Sequence, residues 1–296
     1  MRAAMRLWRI LRSLGRSCGC TACPRPGMMC APCHGATLES LPEAGSAGIE
    51  RLSAGNALHL ANATRGWEET LELAPNVQAV HAQVEQACAH AGRPPESVRI
   101  IAVAKFHPAS AVRAVVEAGL LHIGENRVQE AREKAASVEG AVWHMVGRLQ
   151  TNKAAQAAEL FTWIHSVDRI ELAQALGRAA QRRRTSPLQV LVQVNLAGER
   201  QKGGCPAQDV PDLLAAMQDY PMLAPRGLMI VPPAGSDPRP EFRALRELLE
   251  RMHGQFPGLA LDQLSMGMSG DFAEAIAEGA TMVRIGTAIF GARQGG

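Results

Sequence analysis

The chain has 296 residues, 47% hydrophobic and 20% charged, a balance that supports a substantial buried core and excludes disordered or fibrous classes. Its formal charge of +3 comes from residues 1–66, which hold eight Arg against three Glu. The remainder has 23 basic and 25 acidic residues, so the folded body offers no basic face for nucleic acid. No stretch nears the ~20 continuous apolar residues of a membrane span, and the Arg-punctuated start lacks the apolar stretch of a secretory signal, so a cytoplasmic protein is expected.

Residues 1–66 are rich in Gly, Ala, Pro, Ser and Arg, lack Lys and Asp, and show no sustained helical or strand period. They read as a disordered leader or a spurious extension from an upstream start codon, distinct from the body at 67–296. Cys18, Cys20, Cys23, Cys30 and Cys33 include two C-x2-C pairs of zinc-compatible spacing, but the segment between them is short for a zinc ribbon and lacks flanking secondary structure. The Arg-rich, acid-poor stretch from Met1 to Arg25 also resembles a mitochondrial transit peptide.

Glu68 to His90 predicts an amphipathic helix that Gly92-Arg93-Pro94-Pro95 stops. Eight short runs rich in Val, Ile and Leu follow: Val98–Ala104, Leu121–Gly124, Val142–Gly147, Trp163–Val167, Leu188–Asn195, Arg226–Val231, Asp262–Ser265 and Thr281–Ile285. Segments such as Ala109–Ala118, Arg169–Arg183 and Glu241–Gln255 are long enough to be crossover helices between parallel strands. Eight alternating βα units predict an α/β fold closed as a (β/α)8 TIM barrel. An open doubly wound sheet is the alternative, but it typically carries a Gly-rich turn after its first strand, where this chain has Ala104-Lys105-Phe106-His107-Pro108.

Barrel active sites lie at the C-terminal strand ends, which narrows the search to Lys105, Glu125, Asn126, Arg148, Gln150 to Lys153, Asp168, Asn195, Lys202, Ser265 to Ser269 and Arg284 to Thr287. The chain holds four lysines against 27 arginines, and one lysine ends the first strand. Arg serves equally well as a solvated charge, whereas a lysine amine can lose its proton and condense with a carbonyl. The bland alternative is a snorkelling surface lysine. Ser265-Met266-Gly267-Met268-Ser269-Gly270-Asp271 and Arg284-Ile285-Gly286-Thr287 follow strands seven and eight, where barrels often bind phosphate through backbone N–H groups and hydroxyls. Together with Lys105 they predict a phosphate-bearing aldehyde as ligand. His122, His144 and His165 read as hydrogen-bonded barrel residues rather than metal ligands. Asp168 reads as a helix cap ahead of a general base.

These residues also carry a resemblance covering about residues 70 to 293. The matching segments are Ala102-Val103-Ala104-Lys105, Gly124-Glu125-Asn126, Trp143-His144 with Gly147, Leu149-Gln150-Thr151-Asn152-Lys153, Ser166-Val167-Asp168, Gln193-Val194-Asn195, Arg226-Gly227-Leu228-Met229, Ser265-Met266-Gly267-Met268-Ser269 and Met282 through Gly291. The chain resembles the pyridoxal phosphate homeostasis proteins, relatives of the alanine racemase N-terminal barrel. The resemblance implies pyridoxal 5'-phosphate as cofactor, a Schiff base on Lys105, and a phosphate site in the two small-residue turns. Asn126, Ser265, Met266, Gly267, Ser269, Gly286 and Thr287 are then cofactor-binding, and Arg284 lies near the pyridine nitrogen. His107 stands where the family commonly has a second lysine, Arg148 where a His is common, and Lys202 matches a loop lysine.

The same resemblance separates two functions. Racemisation on this type of barrel uses a lysine and a tyrosine from a following β-domain, whereas this chain ends soon after its eighth strand and its only tyrosine, Tyr220, ends a predicted outer helix. Arg284 would stay cationic, accept no proton, and poorly support a carbanion. The expectation is a noncatalytic, monomeric cofactor carrier that buffers pyridoxal phosphate or delivers it to apoenzymes. A pyridoxal-dependent amino-acid racemase is the alternative.

Overall fold

The computed structural model describes residues 73–199 and 203–291. The expected leader with its five cysteines, and Lys202, lie outside the described residues. Helix α1 occupies residues 73–90, turning Leu73, Val77, Val80, Val84 and Cys88 into the core at helical spacing. It stops at Gly92, whose φ of 65° suits a residue without Cβ.

Eight strands then alternate with helices. In chain order they are β1 (Arg99–Val103), α2 (Ala109–Glu117), β2 (His122–Glu125), α3 (Val128–Ala135), β3 (Val142–Met145), α4 (Ala154–Leu160), β4 (Trp163–Val167), α5 (Ile170–Arg183) and β5 (Leu188–Gln193). These are followed by α6 (Val210–Gln218), β6 (Leu223–Met229), α7 (Arg239–Gln255), β7 (Gln263–Ser265), α8 (Phe272–Ala277), β8 (Met282–Ile285) and α9 (Thr287–Phe290). All neighbours pair in parallel, and β1 closes on β8 with Arg99 opposite Met282 and Ile101 opposite Arg284, giving the expected (β/α)8 barrel.

Strand alternation divides the apolar side chains into two layers. The outer one packs the sheet against the helices, as where α5 buries Leu172, Leu176, Ala179 and Ala180 and α7 buries Phe242, Leu245, Leu249 and Met252. Each large side chain so buried stabilises the fold by about 1.5–3 kcal/mol. The inner layer is a separate cluster of Ile101, Trp163, Leu191, Met229 and Met282 that plugs the barrel. The positions two residues beyond Trp163 and Met282, on the same strand faces, are His165 and Arg284.

The strand at Arg226–Val231 begins earlier than its sequence suggests, at Leu223, and so contains Pro225. The register of β5 and β6 shifts there: Val190 pairs with Pro225 and Leu191 with Gly227, leaving Arg226 as the extra residue of a bulge. A bulge accommodates a residue with no N–H. Gly227 is obligatory beside it, because a Cβ would lie 1.9 Å from the Gln263 carbonyl oxygen. Among the described residues no helix is long and apolar enough to cross a membrane, and no His, Cys, Asp and Glu cluster is arranged for a metal ion.

Candidate functional site

The C-terminal end of β1 is held from several sides. The Ala104 N–H donates to the Gly124 carbonyl (2.9 Å), and the Ala104 carbonyl accepts from the His107 N–H (3.1 Å) and from Lys134 Nζ (2.8 Å). Lys134 also donates to Glu125 Oε1 at 2.5 Å, and both side chains are buried. Burial pushes the Glu125 carboxyl upward against the downward pull of Lys134. Next in the chain comes Lys105, then Phe106 at φ 69°, the one described non-glycine residue in the left-handed region. That conformation costs on the order of 1–3 kcal/mol and persists where its surroundings dictate it. The strained turn follows directly on the lysine.

Lys105 lines a cavity of about 430 Å³ with Asn126 from the end of β2, Ser269 and Gly270 after β7, and Arg284, Gly286 and Thr287 at the end of β8. Asn126 reaches this wall because position 147 is glycine: a Cβ there would stand 2.5 Å from the Asn126 carbonyl oxygen. The turn after β7 depends on Gly267, with φ 91°, where a Cβ would meet the Ala275 Cβ at 2.6 Å. Met268 N–H donates to Asp271 Oδ1 at 2.5 Å and tightens the same turn.

Three other expected cofactor residues are not on this wall. Ser265 is fully buried and bonded to Arg284 and His165. The Met266 side chain is in the outer core and its N–H donates to the Met282 carbonyl. The Gly267 carbonyl accepts the Arg284 N–H. Arg148, Gln150, Asn152 and Lys153 line a neighbouring groove of about 950 Å³ that shares Asn126 with the cavity. Asp168 does not cap a helix: α5 has Arg169 at its N-cap with no side-chain capping bond, and the Asp168 carboxylate instead accepts from the Arg169 guanidinium at 2.5 Å.

Arg284, 5% exposed, donates from one terminal nitrogen to Ser265 Oγ (2.7 Å) and from the other to the Ile230 carbonyl (2.8 Å). Burial lowers its guanidinium to about 10, so it remains cationic at neutral pH. Beneath it runs a feature that residue types alone did not reveal. His165 Nδ1 lies 2.9 Å from Ser265 Oγ, His144 Nδ1 lies 2.9 Å from His165 Nε2, and His122 Nδ1 lies 2.9 Å from His144 Nε2. The expected hydrogen-bonded role of the histidines is met by contacts with one another.

Burial, then Arg99, lowers His122 to about 4; burial, then the facing His165 and His122 and last Arg99, lowers His144 well below 6.5, and burial, then Arg284 and Arg99, does the same to His165. All three are neutral in the folded protein while the unfolded chain protonates them below about 6.5. Unfolding therefore takes up protons in acid, and stability falls as pH drops from 6.5 towards 4. Each group contributes about 1.4 kcal/mol per pH unit, so the three together should lower unfolding free energy by roughly 4 kcal/mol per unit between about pH 6 and 5. Urea denaturation across that range measures it, and a flat profile would contradict the buried neutral state.

Comparison with known proteins decides the family. The alanine racemase N-terminal domain family matches residues 76–294. Pyridoxal phosphate homeostasis proteins of Pseudomonas aeruginosa and Escherichia coli K12 are 45% and 40% identical, over 76% and 75% of this chain and 97% of each relative. The chain belongs to the pyridoxal phosphate homeostasis protein family. PipY of Synechococcus elongatus, solved with pyridoxal phosphate bound, is 38% identical with a TM-score of 0.66, covering 74% of this chain and all of that one. Alanine racemase from Bacillus anthracis, at 17% identity and a TM-score of 0.54, covers 74% of this chain and 57% of the racemase and shares the fold.

Proposed function

We propose that this protein holds pyridoxal 5'-phosphate in the 430 Å³ cavity, covalently through Lys105, and serves to buffer or deliver the cofactor inside the cytoplasm. One observation carries the reading: a lysine amine, a buried arginine and two small-residue turns converge on a single cavity at the C-terminal mouth of a barrel. When bound, pyridoxal phosphate supplies an electrophilic aldehyde and an electron-withdrawing ring. Lys105 would condense with the aldehyde with loss of water, and Ser269, Gly270, Gly286 and Thr287 would hold the phosphate. Asn126 would orient the ring, and Arg284, remaining charged, would stand near the ring nitrogen and disfavour its protonation. The names of the relatives support this function, since those at 45% and 40% identity are called pyridoxal phosphate homeostasis proteins.

Two features favour a carrier over a racemase. Among the described residues lining the cavity beside Lys105, none is a carboxylate, histidine, cysteine or tyrosine of the kind that serves as a second base. Tyr220 belongs to the outer layer, packed against Gly177 of α5. The recipients on this reading are apoenzymes that use the same cofactor, and the working unit is a monomer. Loading the protein with pyridoxal phosphate and adding L-alanine should give no D-alanine above the rate with free cofactor. Robust racemisation that disappears in Lys105→Ala would replace the carrier with an enzyme.

A further inference from the structure

The three histidines and Ser265 are contributed by four strands, β2, β3, β4 and β7, and form one unbroken line of contacts through the barrel interior. One end is Arg284, on the wall of the C-terminal cavity. The other is half-buried His122, which borders a second cavity of about 430 Å³ beside Arg99, Gly119 and Leu121. The line thus joins the two faces of the barrel.

Its direction follows from Arg284. A guanidinium has donors and no acceptor, so Ser265 Oγ must accept from it. The serine hydroxyl then has one hydrogen to place, and His165 Nδ1 is the acceptor within reach at 2.9 Å. That choice puts the His165 proton on Nε2, facing His144 Nδ1; His144 in turn carries its proton on Nε2, facing His122 Nδ1. Every donor within the line meets an acceptor, and the last N–H, on His122 Nε2, is turned to the N-terminal end. In the reverse polarity His165 donates to Ser265, whose own proton then has no recorded partner at a fully buried site. An orphaned buried hydroxyl costs about 1–3 kcal/mol, enough to favour the first polarity roughly 5- to 150-fold.

We propose that His122, His144 and His165, each protonated on Nε2, form a one-way hydrogen-bond relay through the barrel, and that His165, acting through Ser265, is a positioning residue for Arg284. The positioning half rests on the cofactor reading above; the polarity half does not. The relay is neutral. Arg99 of β1, whose guanidinium lies 5.5 Å from the Trp163 ring centroid, and Arg284 of β8 face it as cations that disfavour an imidazolium, while Glu85, Glu96 and His81 line the cavity at the His122 end. Trp163 stacks on His144 at 5.9 Å and holds its ring plane. With its proton committed to His165, Ser265 presents only a lone pair to Arg284, which fixes the guanidinium below the cavity rather than letting the hydroxyl rotate.

Histidine nitrogen NMR on the cofactor-free full-length protein tests the polarity directly, because ring nitrogen shifts distinguish the two tautomers. The expected spectrum shows His122, His144 and His165 neutral with the proton on Nε2. In Ser265→Ala, which removes the group that sets the direction, His165 should populate both tautomers. A wild-type His165 protonated on Nδ1, or a tautomer unchanged in Ser265→Ala, would overturn the relay, whatever the protein binds. Positioning is read from the absorbance of the loaded protein against pH and from cofactor retention on dilution. His165→Phe should release cofactor about tenfold faster and shift the titration, while His165→Asn, whose amide can replace Nδ1, should restore most of both. Equal behaviour of Phe, Asn and wild type would overturn the positioning role. If wild type takes up no pyridoxal phosphate, the cofactor reading fails and the NMR result still decides the relay.

Discussion

Lys105→Ala should abolish borohydride-fixable pyridoxal phosphate on the protein while leaving the fold intact. Lys105 is the one amine among the described residues lining the cavity. Lys134 is buried against Glu125 and the Ala104 carbonyl, Lys153 lines the adjoining groove, and Lys202 lies outside the described residues. Only a deprotonated amine can make the bond, whereas backbone donors and hydroxyls of the two turns make an anion site that needs no lysine. Some noncovalent affinity should therefore persist, weaker by at least about tenfold, or ~1.4 kcal/mol. Because Lys105 is half-buried and has no structural ion pair, unfolding free energy should change by no more than about 0.5 kcal/mol. Reduction of the wild-type complex and peptide mapping should place the label on Val98–Arg113. A main label on Lys134, Lys153 or Lys202 would remove the assignment.

Lys134→Met should have the larger effect on stability. Lys134 and Glu125 are 9% and 0% exposed at the side chain, and Glu125 Oε2 already has no hydrogen-bond partner. Removing the cation leaves a carboxylate buried alone, which costs about 3–5 kcal/mol against a typical total of roughly 5–15. The double variant Lys134→Met/Glu125→Leu should recover much of the loss, since an apolar pair of similar volume needs no counter-charge. Without Lys134 the Glu125 carboxyl rises further. The deficit should then shrink as pH falls through the folded carboxyl's range, because protonation removes the buried charge. Urea unfolding of the three proteins at neutral pH and near pH 5.5 measures both effects. A single variant as stable as wild type would show that the pair is solvated.

The distribution of apolar residues was enough to establish the βα alternation, because each strand and each helix displays its burial period within its own few residues. Seven of the eight strands begin and end within two residues of the predicted runs, and β6 departs because a proline that looks like a strand breaker sits in a bulge. Lys105 was legible for a similar reason: a lysine directly after an apolar run must emerge at a strand end, whatever the remaining topology. The turns after β7 and β8 were legible as small-residue segments, though not which of their residues face the cavity. Met266 shares its turn with Ser269 but is directed into the outer core by the pleat of β7.

What only the tertiary structure decided are contacts between residues that no local period relates. Lys134 occupies an ordinary polar position on α3, and its burial follows from how that helix packs over the ends of β1 and β2. His122, His144 and His165 recur about one βα unit apart, but Ser265 lies 100 residues beyond His165 and Arg284 another 19. They meet because the sheet closes: parallel register sets His122 beside Val142 and His144 beside Trp163, and the barrel then brings β7 and β8 across the interior to β4. Sequence determines which face of a strand a side chain takes, through a period of two. Strand tilt and closure determine which side chains on that shared inner face come within hydrogen-bond distance.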